Sequence, residues 1–160
     1  MPGQPGPTGQ TGPIGPKGET GSQGEKGEAS SAVGRALFSA YRSSSGHFDG
    51  IVTFDVVDID TDNQLDKESG IFKCKVPGVY LFSISGETST DGTDYVSVYV
   101  NNDFKFIIAD TDKSNYANLS YSWTLKLSLD DQVQLKVASG KMYASQTERV
   151  YFTGLLVHAD

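Results

Sequence analysis

Few residues of this chain have side chains suited to covalent catalysis. Cys74 is its one cysteine, and His47 and His158 are its two histidines. One cysteine cannot form a disulfide within the chain, and neither histidine belongs to a recognisable nucleophile motif with a serine, a cysteine or a carboxylate. We therefore predict that the protein is not an enzyme, with a catalytic dyad assembled only by the fold as the alternative.

The single cysteine alternates with two apolar residues, Phe72 and Val76. This spacing places the three side chains on one face of a predicted strand. It predicts that Cys74 is a buried structural thiol, because free cysteine behaves as a small apolar residue in protein cores. The alternative is a thiol that is reactive or that bridges two chains.

The acidic segment Asp58-x-Asp60-x-Asp62 resembles the start of an EF-hand calcium loop. The likeness ends there, because Asn63 stands at the position of the turn glycine and Ser69 at that of the bidentate glutamate. No helical pattern flanks the segment. We interpret it as a solvated acidic loop, with metal binding as the alternative.

Two turn-rich stretches, Thr88–Asp94 and Ser139–Glu148, are the longest of the chain. Loops on rigid scaffolds often carry binding residues. The second stretch and its flank contain the one notable basic and aromatic group, Lys141, Tyr143 and Arg149. We predict that these three residues contact a ligand, and the alternative is that they only make a loop soluble.

Glycine occupies every third position over nine triplets at the start of the chain. These glycines are Gly3, Gly6, Gly9, Gly12, Gly15, Gly18, Gly21, Gly24 and Gly27. Only glycine fits at the crowded axis where three polyproline-type strands wind together, whereas a single extended strand accepts any residue there. The repeat predicts a collagen-like stalk over residues 1–29, and with it an assembly of three chains. A flexible Gly/Pro linker is the alternative.

The composition changes after the stalk, with a short joint at 30–35 and a head at 36–160. A head of about 125 residues suffices for one hydrophobic core. The net charge of −7 disfavours nucleic acid and anionic membranes as partners. No apolar stretch of the sequence is long enough to form a transmembrane helix.

A collagen stalk indicates secretion, so we expect the chain to be a fragment without its leader. A bacterial surface protein with a collagen-like segment is the alternative.

The head has the alternating pattern of β-strands. Apolar and polar residues alternate in Val96–Val100, Leu125–Leu129 and Val133–Val137, and Tyr80, Phe82 and Ile84 share one face of a further run. Turns are predicted between these runs, at Asp91-Gly92, Asn101-Asn102-Asp103, Asp130-Asp131 and Ser139-Gly140. The last run, Val150–Val157, is apolar on both faces, which predicts an interior strand whose second face is covered by a neighbouring subunit. We predict an all-β, two-sheet sandwich of the jelly-roll type.

The head contains a set of aromatic, acidic, glycine and leucine residues at defined spacings. They are Phe54, Asp60, Leu65, Phe72, Gly78, Tyr80 and Phe82, with Phe38-Ser39-Ala40, Arg42 and Phe152-x-Gly154-x-Leu156 at the two ends. In these residues and their spacing the head resembles the globular-head family of complement component 1q, within the superfamily shared with tumour necrosis factor, except that Ile84 replaces the final aromatic of the family's signature. The resemblance implies a ten-stranded jelly roll, a tight homotrimer or heterotrimer, and a binding role without catalysis.

The same resemblance suggests calcium as a cofactor. Several trimeric relatives bind calcium near the loop that here contains Asp110 and Asp112, close to the three-fold axis. Oxygen ligands from these carboxylates, together with Asn118, suit a hard cation. The departure from the family is that Ala117 or Asn118 stands where relatives have a second aspartate. An ordinary polar loop is the alternative, and a melting curve that calcium and a chelator leave unchanged would exclude the site.

Asn118 also begins an N-glycosylation sequon, Asn118-Leu119-Ser120. A glycan and a metal would compete for this side chain, so at most one of the two predictions holds.

Two functional classes remain for a secreted trimer of this kind. The first is a multivalent pattern-recognition protein that binds surface polysaccharides or other repetitive targets, and it is the class that we favour. The second is a trimeric signalling ligand or matrix component that binds a cell-surface protein. A stalk with three heads suits both classes.

Overall fold

The computed structural model describes residues 1–15, 17, 36–88, 94–110 and 116–160, apart from the side chains of Asp94 and Asp110. The chain divides into two compact units, Met1–Ser31 and Ala32–Asp160. The described residues of the first unit are exposed and have no regular secondary structure. The predicted joint at 30–35 lies outside the described residues, so the predicted domain limits stay a prediction.

The described part of the second unit consists of eleven β-strands and contains no helix. They are β1 Leu37–Arg42, β2 Gly46–Ile51, β3 Val56–Asp60, β4 Leu65–Asp66, β5 Ile71–Lys73, β6 Gly78–Thr88, β7 Asp94–Val100, β8 Asp103–Asp110, β9 Ala117–Leu127, β10 Gln132–Ala144 and β11 Val150–Ala159. The predicted all-β jelly roll is confirmed. The described count exceeds the expected ten strands by one, and the shortest strand, β4, has only two residues.

The strands form two antiparallel layers. One layer has the order β3-β1-β11-β6-β9, and in the other β10 pairs with β2, β5 and β7, while β8 pairs with β7. The long strand β10 also joins the layers at one end, where Met142 pairs with Thr88 of β6. Because strands distant in sequence become neighbours, side chains from the four strands β2, β10, β6 and β9 meet at this end.

Alternate residues of β6 fill the space between the layers. Tyr80, Phe82 and Ile84 are fully buried, as their period of two predicts. The rings of Tyr80 and Phe82 pack with each other and with that of Phe72, and Phe82 also packs with Trp123 and Phe152. Phe38 and Phe54 extend this cluster through Phe152. Packing leaves no space at Gly154, because an added Cβ would collide with the rings of Phe38 and Phe82.

Two predicted turns had different outcomes. Asn101 and Asn102, with φ angles of 54° and 66°, form the two-residue turn between β7 and β8, and asparagine tolerates this left-handed region. The turn predicted at Ser139–Gly140 is wrong, because β10 continues through it. Gly140 has a φ angle of 72°, and the register shifts beside it, so the strand bulges and goes on pairing.

The last strand, β11, lies between β1 and β6, as expected for a run that is apolar on both faces. Its inward side chains, such as Phe152, are buried. On the outward face, Leu155 is 43% exposed, Val157 is 60% exposed and the neighbouring Leu81 is 39% exposed. We call these three residues the outer apolar strip.

Candidate binding site

A row of four side chains crosses the end of the sheet where β10 joins the two layers. Tyr143 of β10 pairs in register with His47 of β2 and with Glu87 of β6. Glu87 in turn pairs with Asn118 of β9. Residues directly opposite each other in antiparallel strands point to the same face. The row therefore places an imidazole, a phenol, a carboxylate and a carboxamide side by side.

Three aromatic rings form a continuous surface at one end of this row. The ring centroid of Tyr143 lies 5.2 Å from that of His47 and 5.8 Å from that of Tyr116. Tyr116 is 54% exposed and lies two residues before Asn118, on the same face of the chain. We call His47, Tyr116 and Tyr143 the aromatic platform.

A cleft of about 400 Å³ lies at the other end of the row. Glu87, Asn118 and Arg149 line it, together with hydroxyl groups that include that of Tyr151. The Arg149 guanidinium lies 4.4 Å from the centre of the Tyr41 ring and donates a hydrogen bond of 3.4 Å to the Tyr151 hydroxyl. This hydrogen bond raises the pKa of Arg149, so the cation is held in place by two tyrosines.

The carboxylate of Glu148, also in the cleft lining, is occupied by its own loop. It accepts hydrogen bonds from the hydroxyl groups of Ser145 and Thr147. These bonds lower the pKa of Glu148. Glu148 is thus ionised and partnered, which leaves Glu87 and Asn118 as the polar groups of the cleft that adjoin the platform.

The three residues predicted to contact a ligand separate into two places. Lys141 and Tyr143 lie on β10 rather than in a loop, because the bulge at Gly140 extends the strand. Arg149 lies between β10 and β11 and lines the cleft with Asn118. The prediction that the three contact a ligand stays untested.

Three residues of the site carry no signal in the sequence. His47, Glu87 and Tyr116 belong to segments far apart in the chain, and only strand register brings them beside Tyr143. A correct pairing of β10 with β2 and β6, and of β6 with β9, would have revealed them. That pairing depends on the bulge, which the sequence suggested was a turn.

The predicted calcium ligands are only partly described. Asp112 and the side chain of Asp110 lie outside the described residues, and Asn118 is exposed on β9. Among the residues that the structure does describe, no group of three or more His, Cys, Asp or Glu side chains could hold a metal ion. The calcium site and the glycan at Asn118 therefore both stay predictions.

The acidic segment at 58–62 has a structural task at the end of β3. The Asp60 carboxylate accepts hydrogen bonds from the backbone N–H groups of Gln64 at 2.9 Å and Leu65 at 2.8 Å. These bonds close the turn in which Asn63 adopts a φ angle of 50°. The segment is a strand end and a turn rather than the loop that was predicted, and Asp60 organises the backbone.

Cys74 is fully buried, and the predicted structural thiol is confirmed. Its Sγ donates to the carbonyl oxygen of Val76 at 3.2 Å. Burial raises the pKa of the Cys74 thiol, which disfavours the nucleophilic thiolate. The thiol is part of the core and not of the site.

Comparison with known proteins identifies the family. The model of the C1q domain matches residues 37–157. The chain belongs to the C1q domain family. The resemblance drawn from Phe72, Tyr80 and Phe82 is thereby confirmed, and these three residues lie in the aromatic core.

Relatives of this C1q domain chain include a collagen chain. The collagen alpha-1(X) chain of Mus musculus is 31% identical over 111 residues, which cover 66% of this chain and 16% of the collagen chain. The chain thus matches only a small part of that relative's length.

Two solved structures illustrate the likeness in fold. The globular domain of zebrafish complement 1qA protein has a TM-score of 0.65 at 23% identity, covering 78% of this chain and 99% of that domain. Murine APRIL has a TM-score of 0.57 at 13% identity, covering 77% of this chain and 99% of APRIL. At these identities the likeness shows the jelly-roll fold. Within the described residues, no helix is long and apolar enough to cross a membrane.

Proposed function

We propose that this C1q domain protein is a secreted, multivalent trimer whose heads recognise repetitive surface ligands, above all microbial polysaccharides, in innate immune pattern recognition. Family membership supports a binding role rather than a catalytic one. The observation that carries the proposal is the outer apolar strip together with the glycine repeat, since association of identical copies of the chain accounts for both.

The outer apolar strip supports self-association of the heads. Leu155 and Leu81 are direct cross-strand partners, and with Val157 they expose apolar surface in a single chain. Contiguous exposed apolar surface marks interaction sites in soluble proteins. Two further copies of the head are the occupants that fit best, because the repeat in the same chain calls for three strands.

The stalk supports the same copy number. The structure describes five glycines of the repeat, Gly3, Gly6, Gly9, Gly12 and Gly15. A Cβ added to any of them would meet no atom within 4 Å in the single chain. Nothing in one strand therefore requires glycine at these positions. A triple helix does require it, because each third residue faces the shared axis.

Trimerisation gives weak heads a useful affinity for repetitive targets. Linked binding sites can gain about 10²–10⁴-fold over one site when the target presents matching copies. Surface polysaccharides repeat in this way, whereas a single soluble ligand does not. Calcium bound by Asp110, Asp112 and Asn118 would add oxygen-ligand bonds between chains near the axis, and this cofactor is part of the proposal.

A trimeric signalling ligand or matrix component is the second candidate. The 31% identity to the collagen alpha-1(X) chain favours it. Such a protein would bind one cell-surface or matrix protein rather than many glycan surfaces.

The deciding experiment measures mass and binding on the same sample. Sedimentation equilibrium is expected to return the mass of three chains, each of 17.2 kDa. The intact trimer is then tested on whole bacterial and yeast cells, with calcium and with a chelator. Binding to these surfaces supports recognition, and calcium dependence supports the proposed cofactor.

Either of two results would contradict the proposal. A mass of one chain at micromolar concentration would exclude the trimer. A trimer that binds no microbial surface, but captures one protein from matrix or cell-surface preparations, would favour the second candidate.

A further inference from the structure

The aromatic platform lies beside Glu87 and Asn118 in one continuous row, and this juxtaposition has a definite chemistry. The platform and the row together present three rings, one carboxylate and one carboxamide. We propose that this surface is a binding site for neutral saccharides. The inference rests on the proposed function and names the ligand class and the residues that bind it.

The spacing of the rings favours a flat ligand over a cation. The Tyr143 centroid lies 5.2 Å from His47 and 5.8 Å from Tyr116, distances at which the rings contact each other. No gap remains between neighbouring rings for an ammonium group to enter, as a cation-binding cage would need. The rings form instead an apolar surface on which the C–H face of a sugar ring can pack.

The polar end of the row supplies what sugar hydroxyl groups need. Glu87 is half-buried on β6 and its carboxylate accepts hydrogen bonds, while the exposed carboxamide of Asn118 both donates and accepts. Strands are about 4.8 Å apart, so the row from His47 to Asn118 spans about 14 Å. An extended surface of this length suits a chain of sugars better than a single one.

The local charge disfavours an acidic ligand. Glu87 is negative and belongs to the row itself. Two cations lie near the row. Arg149 is engaged with the ring of Tyr41 and the hydroxyl of Tyr151, and Lys141, two residues before Tyr143 on β10, adds one positive charge that Glu87 balances. The whole chain has a net charge of −7, which repels polyanions. A neutral polysaccharide is therefore the class that matches the surface.

The site and the proposed trimer contact occupy different parts of the sheet. Along β6, Glu87 lies six residues from Leu81 of the outer apolar strip, a distance of about 20 Å in an extended strand. A trimer formed through the strip thus leaves His47, Tyr143 and Glu87 available for a ligand. Asn118 is also a proposed calcium ligand and can serve only one of the two at a time, so saccharide binding is measured in the presence of a chelator.

The test uses the full chain, produced without N-glycosylation, on immobilised dextran, mannan and galactan. Dextran sulfate is the charged counterpart of dextran. We expect the chain to bind at least one neutral polysaccharide, and to bind dextran sulfate more weakly than dextran. Tyr116→Ala and Glu87→Gln should each lower the affinity for the neutral polysaccharide about tenfold. Tyr121→Ala is the matched control, because Tyr121 is an exposed tyrosine of β9 that pairs with Ile84 on the opposite face.

Three results would overturn the inference. The first is that Tyr116→Ala and Glu87→Gln bind as tightly as the parent chain while their melting curves match it. The second is stronger binding to dextran sulfate than to dextran, and the third is no binding to any of the three neutral polysaccharides. If whole cells are still bound in these cases, the proposed function stands and its binding site lies elsewhere. If the chain is a monomer or binds no cells, the proposed function fails as well.

Discussion

At the scale of single residues, the core holds two groups that ionise only at alkaline pH. Tyr80 and Cys74 are fully buried side by side, with the Tyr80 hydroxyl donating to the carbonyl of Val76 at 2.7 Å. Burial raises the pKa of both groups in the folded protein. Both groups are therefore neutral in the native state. Their burial lowers the free energy of unfolding only at a pH at which the unfolded chain loses these two protons.

This arrangement predicts a loss of stability at high pH. The unfolded thiol and phenol ionise near 9.0 and 10.0, before their folded counterparts, so the contribution is complete below those values and decreases above them. The urea midpoint is expected to fall between about pH 8 and about pH 10.5. Cys74→Ala should reduce this decrease of the urea midpoint. Tyr121→Phe, at an exposed position, should leave the decrease unchanged. An equal fall in all three proteins would contradict this account.

At the scale of elements, the hairpin of β7 and β8 depends on two asparagines with left-handed backbone. Asn101 also ties the hairpin to the start of β10, since its Oδ1 accepts from the backbone N–H of Gln132 at 2.9 Å. No side-chain hydrogen bond is described for Asn102, whose φ angle is 66°. Asn102 therefore tests backbone conformation separately from hydrogen bonding.

Substitution of Asn102 should depend on the φ preference of the new residue. Asn102→Ala is expected to lower the free energy of unfolding by about 1–2 kcal/mol, since a Cβ-bearing residue without a polar side chain disfavours this region. Asn102→Gly should match or exceed the parent stability. Equilibrium urea denaturation measures both. Equal effects of the two substitutions would show that the turn does not constrain the hairpin.

At the scale of the whole molecule, the outer apolar strip and the collagen-like repeat converge on three chains. Leu155→Asp places a charge in the strip and is expected to shift the trimer towards monomer, because an unpaired charge in an apolar interface is costly. Val157→Asp, at a more exposed position, provides the same test with less risk to folding. Ala138→Asp, exposed on β10 of the other layer, is the control with the same charge.

Sedimentation velocity and circular dichroism together decide this prediction. The prediction is supported if Leu155→Asp and Val157→Asp both dissociate to monomers and keep the native circular dichroism spectrum, while Ala138→Asp remains a trimer. Folded strip variants that remain trimeric would show that the heads associate through another surface.

The features predictable from the sequence are those that depend on near neighbours in the chain. Alternation at Tyr80, Phe82 and Ile84 identified the buried face of β6, because successive strand residues point to opposite faces. The Asn101-Asn102 turn followed from the φ preference of asparagine, which is local too. The spacing of the family signature then identified the C1q domain.

The candidate site depends instead on contacts between distant segments. His47, Glu87 and Tyr116 become neighbours of Tyr143 only through the register of four strands. That register depends on a bulge at Gly140, where pairing with β2 and β6 outweighs the local preference for a turn. Local periodicity thus determined which residues enter the core, whereas the energy of non-local strand pairing decided which polar and aromatic side chains share a surface.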